Sequence, residues 1–468
     1  MHKRYLFAEV DNFRLYDFFS AEGGVNEDVF AYSNHSGDER ALVIFHKKWA
    51  DARGWIRTSA AYAVKEADGN KRLEQTDLAN GLGLPNDPNA YVIFRDVASN
   101  LEYIRNCKQL HEEGMYVELG AFKYHVFLDY RIVHEDIDGS YGHLMGYLAG
   151  RGVPSIEEAL AEIFLQPVLD PFRKLVNAEM LAALTEVVMP VAVEMAEVTV
   201  EEEDGDELAE LDVEIVVEAD LESPDVQVLL DDVQARYQTL LQAVADFAEG
   251  EGDVAALAAE NRDGLETLLS LPDLAEQMPE LEQVAASIAA QLGGGEMVWA
   301  TALSWHFVHN LGAAVDTDEA AELSRSWLDE WLLGRLIGSV LRDMTATGGA
   351  ADEAVAVVKL LTANGRWFDA RTASQRTPLA VLSKLLRSRE VQQFIRVNRY
   401  GGVLYFNKEA YEQLCAWLLL PAVVDSLANL PEEDAVEQIV ERHAVLQKLL
   451  EASAESGYQV DKLLEGVR

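Results

Sequence analysis

Tyr116–Val133 reads YVELGAFKYHVFLDYRIV, and its pattern decides the class of the first third of the chain. Val117, Leu119, Phe122, Tyr124, Val126 and Leu128 fall on alternating positions, apart from a break at Gly120-Ala121. Alternation of period two is the pattern of a strand with one buried face, so these side chains are expected on a single inner face. The break suits a bulge or a strand boundary. Shorter β-rich runs surround this stretch: Ala41–His46, Trp55–Val64, Ala90–Arg95 and Leu101–Arg105. Turn-forming clusters separate them at Ser36-Gly37-Asp38, Ala67-Asp68-Gly69-Asn70 and Pro85-Asn86-Asp87-Pro88. Short strands at this spacing predict an antiparallel β-sandwich or barrel over residues 1–150.

After Gly150 the periodicity changes. Ser155 can cap a helix, Glu157 and Glu158 favour its positive end, and Ile156, Leu160, Ile163, Phe164, Val168 and Leu169 keep helical spacing. Helices are expected at roughly 155–196, 226–248, 253–270, 273–292, 295–313, 318–343, 351–363, 376–397, 408–428 and 431–465, by the same spacing. The fold class is therefore α+β in segregated parts: a sandwich, a helical segment at 151–196, an acidic linker at 197–225 and an α-helical domain at 226–468. The linker follows from charge, because no Lys or Arg occurs between Lys174 and Arg236. Uncompensated like charge opposes packing.

The chain has 468 residues, with 81 Asp and Glu against 38 Lys and Arg, for a formal net charge of −43. Such a surface repels polyanions, so neither nucleic acid nor an anionic membrane is an expected partner. The longest apolar run, Leu414–Val424, is too short to span a bilayer. The start MHKRYLFAEVDNF lacks the apolar core of a signal peptide, which leads to a cytoplasmic expectation.

Chemistry-bearing residues are few in useful combinations. Glu135-Asp136-x-Asp138 resembles a metal loop but lacks the spaced oxygens and terminal Glu of a calcium hand; a solvated turn is the plainer reading. Trp305-His306-x-x-His309-Asn310 sets two imidazoles one helical turn apart, without the Glu of a His-Glu-x-x-His motif, amid aromatic neighbours that look like packing. Cys107 and Cys415 have no sequence neighbour that would activate a thiolate. Gly293-Gly294-Gly295 has neither the strand nor the Gly-Lys-Ser/Thr of a phosphate loop and reads as a helix stop. No metal or cofactor is therefore expected. Trp49, Trp55, Tyr62 and Tyr91 lie in or beside the β-region, where flat rings can stack on sugars or fill a core.

Several runs carry a family resemblance: Arg4–Phe7, Phe13–Phe18, Val25–Asn34, Gly54–Ser59, Leu101–Arg105, Gly120–Asp129, Gly152–Ser155 and, far along, Asn398–Ala410. Together they resemble the carboxy-terminal portion of large bacterial alpha-amylase-family enzymes (glycoside hydrolase family 13). The likeness covers about residues 1–185 and 395–425. In that family an antiparallel β-sandwich follows a catalytic (β/α)8 barrel, and a helical extension follows the sandwich. The mechanism it implies is a retaining hydrolysis with an Asp nucleophile, a Glu acid/base and a further Asp at barrel strand ends. The departure matters more. No Gly-x-Arg-x-Asp segment and no Asn-His-Asp triplet occurs; Ser33-Asn34-His35-Ser36 has the Asn-His pair alone, at an expected turn. No catalytic residue carries over, and Met1 falls where a barrel would end. The resemblance thus implies a non-catalytic accessory region that stabilises a separately encoded catalytic barrel and contacts α-glucan, with Trp49, Trp55, Tyr62 and Tyr91 as the candidate sugar contacts. The alternative is a standalone acidic helical scaffold that recruits basic partners.

Overall fold

A computed structural model describes residues 3–8, 10–65, 70–137, 139–189, 221–344, 348–369 and 375–468. The chain divides into two compact units, Met1–Phe164 and Leu165–Arg468. The class is α+β, with an antiparallel sheet in the first unit and helices dominating the second. The expected linker at 197–225 lies outside the described residues as far as 220.

In the first unit the strands are β1 (Arg14–Ser20), β2 (Val29–Ser36), β3 (Glu39–His46), β4 (Ala52–Ser59), β5 (Tyr62–Lys65), β6 (Lys71–Glu74), β7 (Ala90–Asp96), β8 (Leu101–Asn106), β9 (Met115–Leu119) and β10 (Tyr124–His134). Eight of them form one antiparallel sheet in the order β8-β7-β10-β3-β2-β1-β4-β9, while β5 and β6 pair separately. Helices α1 (Leu78–Gly81) and α2 (Cys107–Glu112) pack on each other and touch β4 toward one end of the sheet and β7 and β8 at the other. The sheet therefore curls as a half-barrel over one core that includes Phe18, Ile44, Ile56, Leu82, Phe94 and Phe127. Curling lets a single sheet enclose an interior that a sandwich would build from two.

Local sequence explains the turns. Gly37, at φ +59°, closes the β2–β3 hairpin with Asp38, as the Ser36-Gly37-Asp38 cluster predicts. Ser33-Asn34-His35-Ser36 is not a turn; it lies within β2, where the Asn34 amide donates to the Leu6 carbonyl at 2.6 Å. The break at Gly120-Ala121 is a strand boundary, with Phe122 at φ +54°. Beyond this turn the facing is the opposite of that expected. Val117 and Leu119 are buried, but Phe122 and Tyr124 are exposed, and Phe127 occupies the interior. Val117, Leu119 and Phe127 are an even number of residues apart, so the inward parity of β9 carries through the turn into β10, and the one-residue shift expected at the break does not occur.

Two buried carboxylates tie the sheet together. Asp96 accepts from the His125 ring Nδ1 at 2.9 Å, from Ser99 at 2.8 Å, and from the backbone N–H groups of Ala98 and Val126, both at 3.1 Å. Burial pushes its carboxyl up, but the hydrogen bonds from His125, Ser99, Val126 and Ala98 outweigh burial and hold it below the ordinary carboxylate range. A depressed folded value means the stabilisation is complete above the unfolded value and fades as pH falls through the folded one. The thermal midpoint of the intact chain should therefore drop more steeply below about pH 4 than that of Asp96→Asn, which melts lower at neutral pH but lacks this slope. Parallel slopes in calorimetry would contradict the assignment. Glu102, also buried, accepts from Arg95 at 2.8 Å, from Arg131 at 3.0 Å and from the Ile156 backbone N–H at 2.9 Å. It thereby fixes the start of α4 (Ile156–Phe164), which follows α3 (Ser140–Leu148).

The second unit begins with α5 (Gln166–Leu175) and α6 (Ala178–Val188), so the helix expected over 155–196 is three helices as far as residue 189. Then come α7 (Pro224–Ala248), α8 (Val254–Ser270), α9 (Leu274–Gln277), α10 (Glu282–Leu292), α11 (Glu296–Val308), α12 (Ala320–Glu330), α13 (Leu333–Asp343), α14 (Gly348–Asn364), α15 (Pro378–Leu385) and α16 (Arg389–Phe394). A two-stranded hairpin, β11 (Asn398–Tyr400) and β12 (Val403–Tyr405), turns through Gly401 and Gly402, both at positive φ. It was not expected within the helical region. Last are α17 (Lys408–Asn429), α18 (Glu432–Glu455) and α19 (Val460–Gly466). Ten consecutive residues of α11, Trp299–Val308, are buried, which makes it the central helix of this unit. The apolar run Leu414–Val424 lies in α17 and is core; no helix among the described residues is long and apolar enough to cross a membrane.

Candidate functional site

The outer face of the sheet in the first unit carries an aromatic band. On β2, β3 and β10 the inward positions Ala31, Ile44 and Phe127 are buried, so alternation turns Phe30, Phe45 and Tyr124 outward. Register places Phe30 and Tyr124 each directly opposite Phe45, which makes a row across three adjacent strands. The three rings are 48%, 38% and 53% exposed. Trp49, 83% exposed, extends the row from the turn after β3, its ring centre 6.1 Å from that of Phe122. The Lys47 ammonium lies 4.9 Å from the centre of the Phe30 ring. Asp28 in turn holds Lys48 at 3.0 Å and Lys47 at 3.7 Å. Beyond Phe30, the outward Tyr32 is flanked by Phe7 and Phe13, with ring centres 6.0 and 5.7 Å away. A contiguous row of exposed rings on a sheet face is the kind of surface that marks a binding face.

The four residues expected to contact sugar are placed differently from one another. Trp49 alone is open. Trp55 is half-buried, 4.9 Å from Tyr116 on the neighbouring β9, with Arg57 over its ring. Tyr62 has the Arg14 guanidinium 4.0 Å above its ring, which occupies that face. Tyr91 is buried in a small core and stacks on Tyr141, so its ring is closed to a ligand. Phe30, Phe45, Phe122 and Tyr124 went unrecognised as surface residues, because aromatics in alternating runs read as core.

The remaining candidates resolve into structural roles. Glu135 accepts from the Tyr141 and Gly142 N–H groups, both at 2.9 Å, and Asp136 from that of Ser140 at 2.9 Å, so these carboxylates cap the N-terminus of α3. Asp138 lies outside the described residues. Gly293-Gly294-Gly295 joins α10 to α11, with Gly295 at φ +94°. Among the described residues no group of three or more His, Cys, Asp or Glu is arranged to hold a metal ion. Both cysteines are buried, and burial pushes Cys107 up to about 11 and Cys415 up to about 12. Ellman's reagent should therefore leave the native chain unlabelled at pH 8 and count two thiols after denaturation; rapid native labelling would show an accessible thiol.

His306 and His309 belong to the second unit and line a cavity of about 140 Å³. The His306 Nε2–H donates to the Asn261 carbonyl at 2.9 Å, and the Asn261 amide returns a bond to the His306 carbonyl at 3.3 Å. The His309 Nδ1–H donates to the His306 carbonyl at 2.9 Å. Burial pushes the imidazoles down to about 3 and about 4, so both are neutral at physiological pH. Gly264 makes room for this arrangement, since a Cβ there would lie 2.9 Å from His306 Cε1.

Comparison with known protein families, with curated proteins and with solved structures finds no match.

Proposed function

We propose that this chain is a non-catalytic accessory part of an alpha-amylase-family system, whose sheet face docks on the catalytic barrel of that system and contacts α-glucan at the Trp49–Phe122 end. The observation that carries this reading is the outward row Phe30, Phe45 and Tyr124. Three rings that remain exposed on the sheet give up hydration when a partner covers them, at about 25 cal/mol per Å² of apolar surface. The resemblance of about residues 1–185 and 395–425 to the carboxy-terminal portion of that family suggests the identity of the partner. Two features support the non-catalytic part. The eight-stranded sheet is antiparallel, without the alternating strands and helices of a barrel, and the Glu135 and Asp136 carboxylates are engaged by backbone N–H groups. Two buried, unpaired thiols agree with a cytoplasmic location.

The test is co-expression with an alpha-amylase-family catalytic barrel, followed by size-exclusion chromatography. A stable complex should form, and Phe45→Ser with Tyr124→Ser should weaken it at least tenfold, as expected for central aromatic anchors. Trp49→Ala should leave the complex intact but reduce co-sedimentation with amylose. The pure chain should not turn over maltooligosaccharides. Turnover by the isolated chain, or failure of the wild type to bind both barrel and amylose, would sink the proposal.

A further inference from the structure

The cavity of the helical unit has two polar atoms that the fold leaves unsatisfied. The His306 Nε2–H is committed to Asn261, so Nδ1 is a lone-pair acceptor, and it is buried with no hydrogen-bond partner among the described residues. The neighbouring Trp305 indole Nε1–H, a donor, is likewise buried and unpaired. Both side chains are about 2% exposed, and both line the cavity. Leaving a buried donor or acceptor unpaired costs about 1–3 kcal/mol, so a fold that retains one of each on adjacent residues, with ring centres 6.4 Å apart, favours an occupant that satisfies them.

The chemistry of the walls limits what that occupant is. The buried part is neutral, since the charged groups on its lining, Glu260 and Arg366, are exposed at the rim, and Asp425 is already paired with Arg442 at 3.1 Å. A charged ligand would lose its hydration with no buried counter-charge. A hydroxyl is a neutral group that both donates and accepts, as the His306 lone pair and the Trp305 N–H require, and it does so with a smaller polar surface than a carboxamide. Flat rings of Tyr237, Trp305, His309 and Phe368 also line the space, and they suit the C–H faces of a polyol better than a fully polar shell would. The volume of about 140 Å³ admits about five waters, the size of a ligand of about six heavy atoms such as glycerol.

We propose that this cavity binds a small neutral polyol, of about the size of glycerol, held by the Trp305 indole N–H and the His306 Nδ1 lone pair. The site is independent of the aromatic band on the sheet, and its test does not depend on glucan or barrel binding.

The full chain is titrated with D-glucose, myo-inositol and glycerol, with acetate and phosphate as charged probes, and followed by calorimetry and by the ¹H–¹⁵N signals of the His306 ring. At least one polyol should bind saturably in the millimolar range or tighter and shift the His306 Nδ1 resonance as it gains a hydrogen bond. Trp305→Phe, which removes the donor and keeps a smaller aromatic ring, should weaken binding at least tenfold, the equivalent of one hydrogen bond. Should that variant fold poorly, Gly264→Ala gives a second reading, because its methyl forces the His306 ring to move and should also weaken binding. Glu112→Ala, which removes an exposed ion pair with Lys108 in the first unit, should leave polyol binding unchanged. Absence of saturable polyol binding, saturation without movement of the His306 signal, or preference for acetate or phosphate would each overturn the proposal.

Discussion

Glu102→Ala should lower the stability of the N-terminal unit by about 3 kcal/mol, a drop of roughly 6–12 °C in its thermal midpoint for a unit of this size. The wild-type carboxylate is 4% exposed and serves three donors on different elements: Arg95 on β7, Arg131 on β10 and the Ile156 N–H at the start of α4. Removing it strands a buried N–H and leaves two guanidinium groups facing each other. Both arginines are partly solvated, at 30% and 40% side-chain exposure, which places the loss at the lower end of the range for buried pairs. Glu102→Gln keeps an acceptor for Ile156 and should cost about half as much. Glu112→Ala, which removes an exposed pair with Lys108, should cost less than about 0.5 kcal/mol. Calorimetry of the three variants checks the order, and equal losses for Glu102→Ala and Glu112→Ala would show that the network contributes nothing beyond a surface pair.

The sequence announces the β-region clearly where strands are apolar on both faces or strictly alternating. Ala90–Arg95 and Leu101–Arg105 match β7 and β8 to within one residue, because their composition leaves little choice. Strands β1 and β2 do not announce themselves, since RLYDFFS and VFAYSNHS mix aromatic, polar and charged positions. Their strand character comes from pairing with β3 and β4, which is not local information. The helical unit shows the same division. Periodicity finds the helices but not their breaks: Leu332 interrupts the expected 318–343 helix at φ +60° with neither Gly nor Pro to signal it.

The site is harder to read for the same reason. Phe30, Phe45 and Tyr124 have the spacing of core residues, and which side is core depends on where α1 and α2 lie. A break inserted at Gly120-Ala121 shifts the count by one and assigns Tyr124 to the wrong face, whereas the uninterrupted count from Leu119 leads to the buried Phe127. Trp49 is recognisable because it sits in a polar turn, between Lys48 and Asp51, where no alternation claims it. In the helical unit, the spacing of His306 and His309 is visible, yet the partner that fixes the tautomer, Asn261, is 45 residues away. The metal geometry suggested by that spacing gives way to backbone hydrogen bonds on one nitrogen of each ring.

The second large effect concerns an aromatic stack in the helical unit. Trp327→Ala should destabilise that unit by about 3–5 kcal/mol, the usual range for deleting a buried indole. Trp327, on α12, lies with its ring 4.0 Å from that of Trp331 and nearly parallel at 7°, and Phe247 of α7 meets Trp331 edge-on at 5.3 Å. The stack therefore ties α7 to the end of α12, just before the chain turns at Leu332. Truncation removes the transfer energy of the ring, leaves Trp331 without a stacking partner and opens a slot shaped for an indole. Partial collapse reduces the loss and complete rigidity increases it, and a ligand can tell these apart. If the slot persists, free indole at millimolar concentration should raise the midpoint of Trp327→Ala while leaving the wild type unchanged, because it binds only the folded variant. Trp49→Ala is the matched control: the same side chain is deleted from a position 83% exposed, and it should alter stability by less than about 0.5 kcal/mol. Equal melting of the two alanine variants would mean that the Trp327 stack adds nothing to the packing of this unit.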